Sequence, residues 1–192
     1  MIDFSRVRAG ELELGDLAAS LELGDLARAT RAVTADLLGR IDGTIDADVI
    51  FAPDDPDAED RFAEDTAEVG LAWTLGHVIV HLTASAEEAA FLGAELARGV
   101  EPHGRSRYEV PWRTLVTIEG ARARLRESER MILASLETWP DEPHLEVVFA
   151  TNRGTIRNAP ARFLGGLSHT DAHLGQVSEI VRQARSARTH RS

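Results

Sequence analysis

Cysteine is missing from the 192-residue chain. Its absence excludes a disulfide framework, a thiolate zinc site and a cysteine nucleophile, so any thiol in the chemistry has to arrive with a substrate. Basic residues are scarce beside acidic ones, 21 against 32, which leaves a net charge of −11. Nucleic acid and anionic membrane both need a basic footprint, and neither is expected as a partner. Long apolar runs are missing too. The longest uncharged run, Val69 to Ala86, contains two histidines, two glycines, two threonines and a serine. It is too short and too polar to span a bilayer, and reads as a buried helix. The N-terminus, MIDFSRVRAGELEL, is charged from residue 3 and has no apolar signal core, so the expected location is the cytoplasm. Hydrophobic residues make up 43% of the chain, enough at this length for one domain to close a core without staples.

What is present is mostly helical periodicity. ELGDLARATRAVTADLLGRI, residues 22–41, repeats at spacings of three and four (Leu23, Leu26, Ala29 or Thr30, Val33, Leu37, Ile41) and ends near Gly43. LELGDLA occurs at 12–18 and again at 21–27, an offset too short for a solenoid, and the first copy lets the helix begin near Asp16. FAPDDPDAED, residues 51–60, breaks the pattern with prolines and aspartates and reads as an exposed acidic loop. A second helix is expected from about Trp73 to Arg98, with Thr74 at its start and Gly99 and Pro102 beyond its end. A third is expected over 114–139, stopped by Pro140, with RARLRESER (122–130) on its wet face. LEVVFATNRGTIRNAP, residues 145–160, alternates around Asn152-Arg153-Gly154 and predicts a short β-hairpin or an extended lid. Pro160 then opens a fourth helix that runs through Val181. Without βαβ alternation, these elements predict an all-α four-helix bundle in one domain (core about 16–185), with long crossover loops and a short hairpin before the last helix.

Four of the 7 histidines fall into two pairs at helical spacing. His77 and His81 lie in WTLGHVIVHLTASAEE, and His169 and His173 lie in GLSHTDAHLGQV. Residues four apart share a helix face. Both pairs occupy the least charged stretches of their helices, where a polar group without a partner is costly. Two such pairs on facing helices can converge on a metal inside the bundle. The plainer alternative is a set of buried histidines that hydrogen-bond to their neighbours. No HExxH is present, which excludes the metalloprotease helix. Di-iron Glu-x-x-His spacing is absent too, since Gly166 and Thr170 occupy the positions where it needs glutamates. A mononuclear site of three imidazoles with open positions remains, and that donor set accepts zinc, nickel, iron or manganese. Spacing alone does not choose between His77 and His81. Trp73, Trp112 and Trp139 read as core or pocket walls, Asp171 as a solvated charge on another face, and His103, His144 and His190 as solvated residues of loops and tail.

At these residues the chain resembles the DinB-like superfamily of four-helix metal-dependent proteins. Two motifs carry the likeness. One is Trp73 followed eight residues later by His81 and then by small and acidic residues (LTASAEE); the other is H-x-x-x-H-x-G-Q, here His169, His173, Gly175 and Gln176. The resemblance implies that His81, His169 and His173 hold one divalent metal ion per chain, zinc or nickel foremost, with iron or manganese as alternatives. It leaves His77 as an outer group behind the ligands, a substrate contact or a general base. Members of the superfamily include S-transferases that use bacillithiol or mycothiol, so the implied activity is transfer of a small thiol to an electrophile. A hydrolase acting through metal-activated water and a non-catalytic stress-response bundle are the other readings. Gln176 is a candidate contact to ligand or substrate. Arg157, with Arg153 and Arg162, is a candidate for holding the acidic groups of a thiol cosubstrate. A homodimer is expected from the same resemblance.

Overall fold

The computed structural model describes residues 2–59, 66–104, 110–151 and 154–190. Asp60 of the acidic loop, and Asn152 and Arg153 of the expected hairpin, lie outside the described residues. The helices are α1 (Ser5–Arg8), α2 (Leu14–Ala18), α3 (Leu23–Arg40), α4 (Asp46–Val49), α5 (Leu75–Ala97), α6 (Ile118–Leu136), α7 (Ala159–Ala172) and α8 (Leu174–Thr189). Two short strands, β1 (Phe149–Ala150) and β2 (Ile156–Arg157), form one antiparallel hairpin with Phe149 opposite Arg157. The protein is therefore an all-α bundle with a small hairpin before its last helices.

Helix α5 is the central element. The Thr74 Oγ1 accepts a hydrogen bond from the His77 N–H at 3.2 Å, which caps the first turn. The chain leaves the other end through Gly99, whose φ of +80° favours glycine. Between them α5 is buried along nearly its whole length. It packs on α7 and on α6, and α3 closes the ring by packing on the same two helices. The approach of α7 to α5 depends on Gly166, where an added Cβ would stand 2.7 Å from the Ala89 Cβ and 3.0 Å from the Ala86 Cα.

The core separates into two apolar clusters along the bundle. One gathers Leu26, Ala90, Ile132, Leu136, Phe163 and Leu164; the other gathers Val33, Leu37, Leu75, Val78, Leu125 and Val177. Buried polar residues Thr30, Thr34, Thr83, Ser128 and Thr170 line one small cavity together with apolar residues of both clusters. Thr30, Thr83 and Thr170 donate their hydroxyls to backbone carbonyls one turn earlier (Leu26, Ile79 and Gly166), so each satisfies its own polar group inside the bundle.

Four expectations are corrected in detail. The first LELGDLA copy does not extend α3 but makes its own short helix, and both copies begin their helix at the same Leu-Gly-Asp after an extended glutamate, Glu13 or Glu22. In the second copy Asp25 Oδ2 accepts the Glu22 N–H at 3.0 Å, a negative group at a helix start. Helix α6 begins at Ile118 rather than 114, because Thr117 Oγ1 caps the Gly120 N–H at 3.1 Å, and residues Trp112–Thr114 form a 3₁₀ turn. Arg124 does not lie on the wet face: its guanidinium is inside the bundle, 2.6 Å from the fully buried Glu87 carboxylate. The expected fourth helix is two helices that meet at His173, which ends α7 and begins α8. Among the described residues, no helix is long and apolar enough to cross a membrane.

Candidate metal centre

Three of the four paired histidines converge. His81 projects from α5 nearly two turns beyond the Thr74 cap. His169 comes from the last turn of α7, and His173 from the break that follows. One ring nitrogen from each lies within 4.8 Å of the other two. The ring centroids are 4.9 Å apart for His81 and His169, 5.5 Å for His81 and His173, and 4.7 Å for His169 and His173. All three rings are half-buried. Among the described residues no fourth His, Asp or Glu donor joins the group.

The Nε2 atoms of His81 and His169 are 2.8 Å apart. At that distance one imidazole supplies a proton and the other a lone pair. The same two nitrogens, without the proton, are two of the three that could hold a metal ion. With metal–nitrogen bonds of about 2.0–2.1 Å, tetrahedral ligands place their nitrogens about 3.3 Å apart, so the pair has to open by only about 0.5 Å.

The third ligand candidate is already oriented. The His173 Nδ1 lies 2.7 Å from the Gln176 Oε1. An amide oxygen only accepts, so Nδ1 carries the hydrogen and Nε2 keeps its lone pair for the cluster. Burial pushes the His173 pKa down, the Gln176 bond acts against that, and the neighbouring His81 lowers it again. The net direction favours the neutral imidazole, the form that ligates a metal. The donor set, its convergence and this preset tautomer fit a divalent cation. Replacing Gln176 by leucine is expected to weaken zinc or nickel binding about 10–100-fold while leaving all three imidazoles in place. Titration of metal-free protein against a chromophoric chelator measures this directly.

His77 is not a member of the cluster. Its ring is buried in a stack, 4.4 Å from Trp73 at 24° and 4.5 Å from Trp112 at 1°. Trp73 also faces the triad, 4.7 Å from His81 and 6.2 Å from His173. Trp73 and Trp112 are therefore walls, as their sequence suggests, but what they hold is His77. Trp139 packs against Phe163 in the other half of the bundle. Gln176 serves His173 rather than standing as a free contact. Asp171 is not a solvated charge but meets the Arg8 guanidinium from α1. Arg157 stands in the hairpin and Arg162 on α7, both outside the triad, and Arg153 lies outside the described residues. The His77 stack was not legible beforehand because Trp112 reaches it from a separate loop. The spacing from Trp73, just before α5, to His81 is the local sign that His77 and His81 differ.

The family model described as the DinB superfamily matches residues 18–177. No curated protein and no solved structure matches the chain.

Proposed function

The chain belongs to the DinB superfamily, and on that premise we propose that it is a metal-dependent enzyme that transfers a small thiol to an electrophile. His81, His169 and His173 would hold the ion, with zinc or nickel the best fit to three neutral imidazoles. An ion so held would lower the pKa of a thiol or water at its open positions, making a nucleophile available at neutral pH. The observation that carries the reading is the three-imidazole cluster without a fourth protein donor among the described residues. A closed set of four ligands is the mark of a structural site; three with an opening is the mark of a catalytic one.

The chain's own residues have definable tasks. Gln176 fixes the tautomer of His173. Trp73 forms an apolar wall against His81 and His173, which limits water on that side. The three histidines are only half-buried, which would let an electrophile approach them. Stacking of His77 between two indoles favours thiol transfer over hydrolysis, because the one candidate base for activating water is clasped away from the cluster. In the proposed step a carbon–sulfur bond forms, the electrophile's leaving group departs with its electron pair, and the thiol proton passes to solvent.

The test reconstitutes metal-free protein with zinc or nickel and adds a low-molecular-weight thiol with 1-chloro-2,4-dinitrobenzene. Thioether formation that depends on added metal and disappears in His169→Ala is the expected result. Metal-loaded protein that gives no rate above the uncatalysed one across a panel of thiols would remove the transferase reading.

A further inference from the structure

Arg157 and Arg162 are two charged residues near the last helices that the metal centre does not use. Both line one cleft of about 570 Å³, together with Glu13, Phe149, Thr151 and Thr155 among the described residues. The Nε atoms of both are buried without a hydrogen-bond partner. Among the described residues neither guanidinium makes an ion pair or a hydrogen bond. Arg162 instead lies over the Phe149 ring, 5.1 Å from its centroid. Burial depresses the pKa of both arginines, and Arg157 depresses that of Arg162 further. Glu13 acts on Arg157 and Glu88 on Arg162 in the opposite direction.

Two partly buried cations that repel each other, with no bonded partner among the described residues, are an unfavourable arrangement in a folded chain. They are placed deliberately by the backbone. Phe149 and Arg157 are paired across the hairpin, which brings one arginine beside the ring that packs the other. Gly165 makes room for Arg157: a Cβ there would stand 2.5 Å from its Nη1. Gly165 is one helical turn before His169, about 6 Å along α7, and Arg162 is two turns before it, about 10 Å. A planar guanidinium recognises a carboxylate or phosphate through two parallel N–H donors, and this cleft presents two such groups.

We infer that Arg157 and Arg162 form a binding site for the carboxylate or phosphate group of a small molecule. A substrate held there by its acidic end would extend along α7 toward the histidines with its other end. That second half rests on the function proposed above; the anion site itself does not.

Calorimetric titration of the full chain with inorganic phosphate, and separately with acetate, tests the inference against sodium chloride at matched ionic strength. Both metal-free and zinc-loaded protein are used. Saturable binding of either anion is expected in both forms, and which anion binds tells phosphate from carboxylate chemistry. Arg157→Gln and Arg162→Gln are each expected to weaken it about tenfold or more. Gly165→Ala keeps both arginines but displaces the Arg157 tip, and weakens binding with helix content unchanged. In anion-free buffer Arg162→Gln is expected to melt at or above the wild-type temperature, since it removes a partly buried cation that is repelled by Arg157 and has no bonded partner among the described residues. A merely structural arginine would melt lower. Absence of saturable binding beyond the chloride control, or binding unaltered in the double variant, overturns the proposal. Anion binding in metal-free protein that shows no thioether chemistry when loaded leaves this site standing and removes only the transferase reading.

Discussion

His169→Ala and His81→Ala are each expected to lose bound metal almost completely, while His77→Ala keeps it. Elemental analysis of untagged protein, followed by a chelator competition, reads both outcomes. Loss of an outer partner of a ligand costs about 10–100-fold in affinity, and loss of one of only three ligands is expected to exceed that range. His77 differs because its ring is spent on Trp73 and Trp112 rather than on the cluster. Its removal leaves a gap between two indoles and destabilises the loop end that carries Trp112, without taking a nitrogen from the ion. If His77→Ala emptied the site and His81→Ala did not, the assignment of ligands on α5 would be inverted. Equal metal content in all variants would leave the histidines as polar groups within the bundle.

The second large effect is on stability. Gly166→Leu is expected to cost about 3 kcal/mol, the upper part of the range for overpacking a filled core. For a protein of this size that lowers Tm by about 6–12 °C. The magnitude follows from what a Cβ meets there: the Ala89 Cβ at 2.7 Å, but also the Ala86 Cα at 3.0 Å and its carbonyl oxygen at 3.2 Å. Backbone cannot turn aside as a side chain does, so α5 and α7 must move apart. Because His81 rides on α5 and His169 on α7, metal affinity should fall with stability. Gly175 supplies the control. It stands two residues beyond His173 and a Cβ there meets nothing within 4 Å, so Gly175→Ala should melt at the wild-type temperature or slightly above it. Calorimetric melting of the two variants separates a packing glycine from one that fills no space. Equal melting temperatures for the two would show that α5 and α7 do not depend on this contact.

Much of this architecture could be read from the residues, and the parts that could not share a cause. Local signals worked. Thr74 and Gly99 mark the ends of α5, and Pro160 marks the start of α7, because caps and φ preferences act within a few residues. The pairing of His169 with His173, and the separation of Trp73 from His81, were likewise visible as spacing. What stayed hidden depends on tertiary partners. Arg124 looks like part of a solvated basic face until Glu87 is found opposite it on another helix. Asp171 looks exposed until α1 brings Arg8 to it. The break at His173 has no proline to announce it; there the Thr170 carbonyl accepts the His173 N–H at 3.1 Å, three residues on rather than four. The start of α6 falls four residues later than its periodicity suggests because the apolar Leu115 continues the helical period although Thr117 resets the backbone. Short helices α1 and α4 are below the length at which periodicity carries information.

The cluster at His81 and His169 joins parts of the chain 88 positions apart. This chain has no cysteine with which to close such a loop covalently. A cation gripping both imidazoles would do so reversibly. Because the ion would leave when the chain unfolds, it would stabilise the fold by mass action rather than by restricting the unfolded chain, by about 2.7 kcal/mol at a free-metal concentration about 100 times Kd. The histidines would then act as a removable clasp between the middle and the end of the sequence, and the availability of metal would set how firmly the bundle is closed.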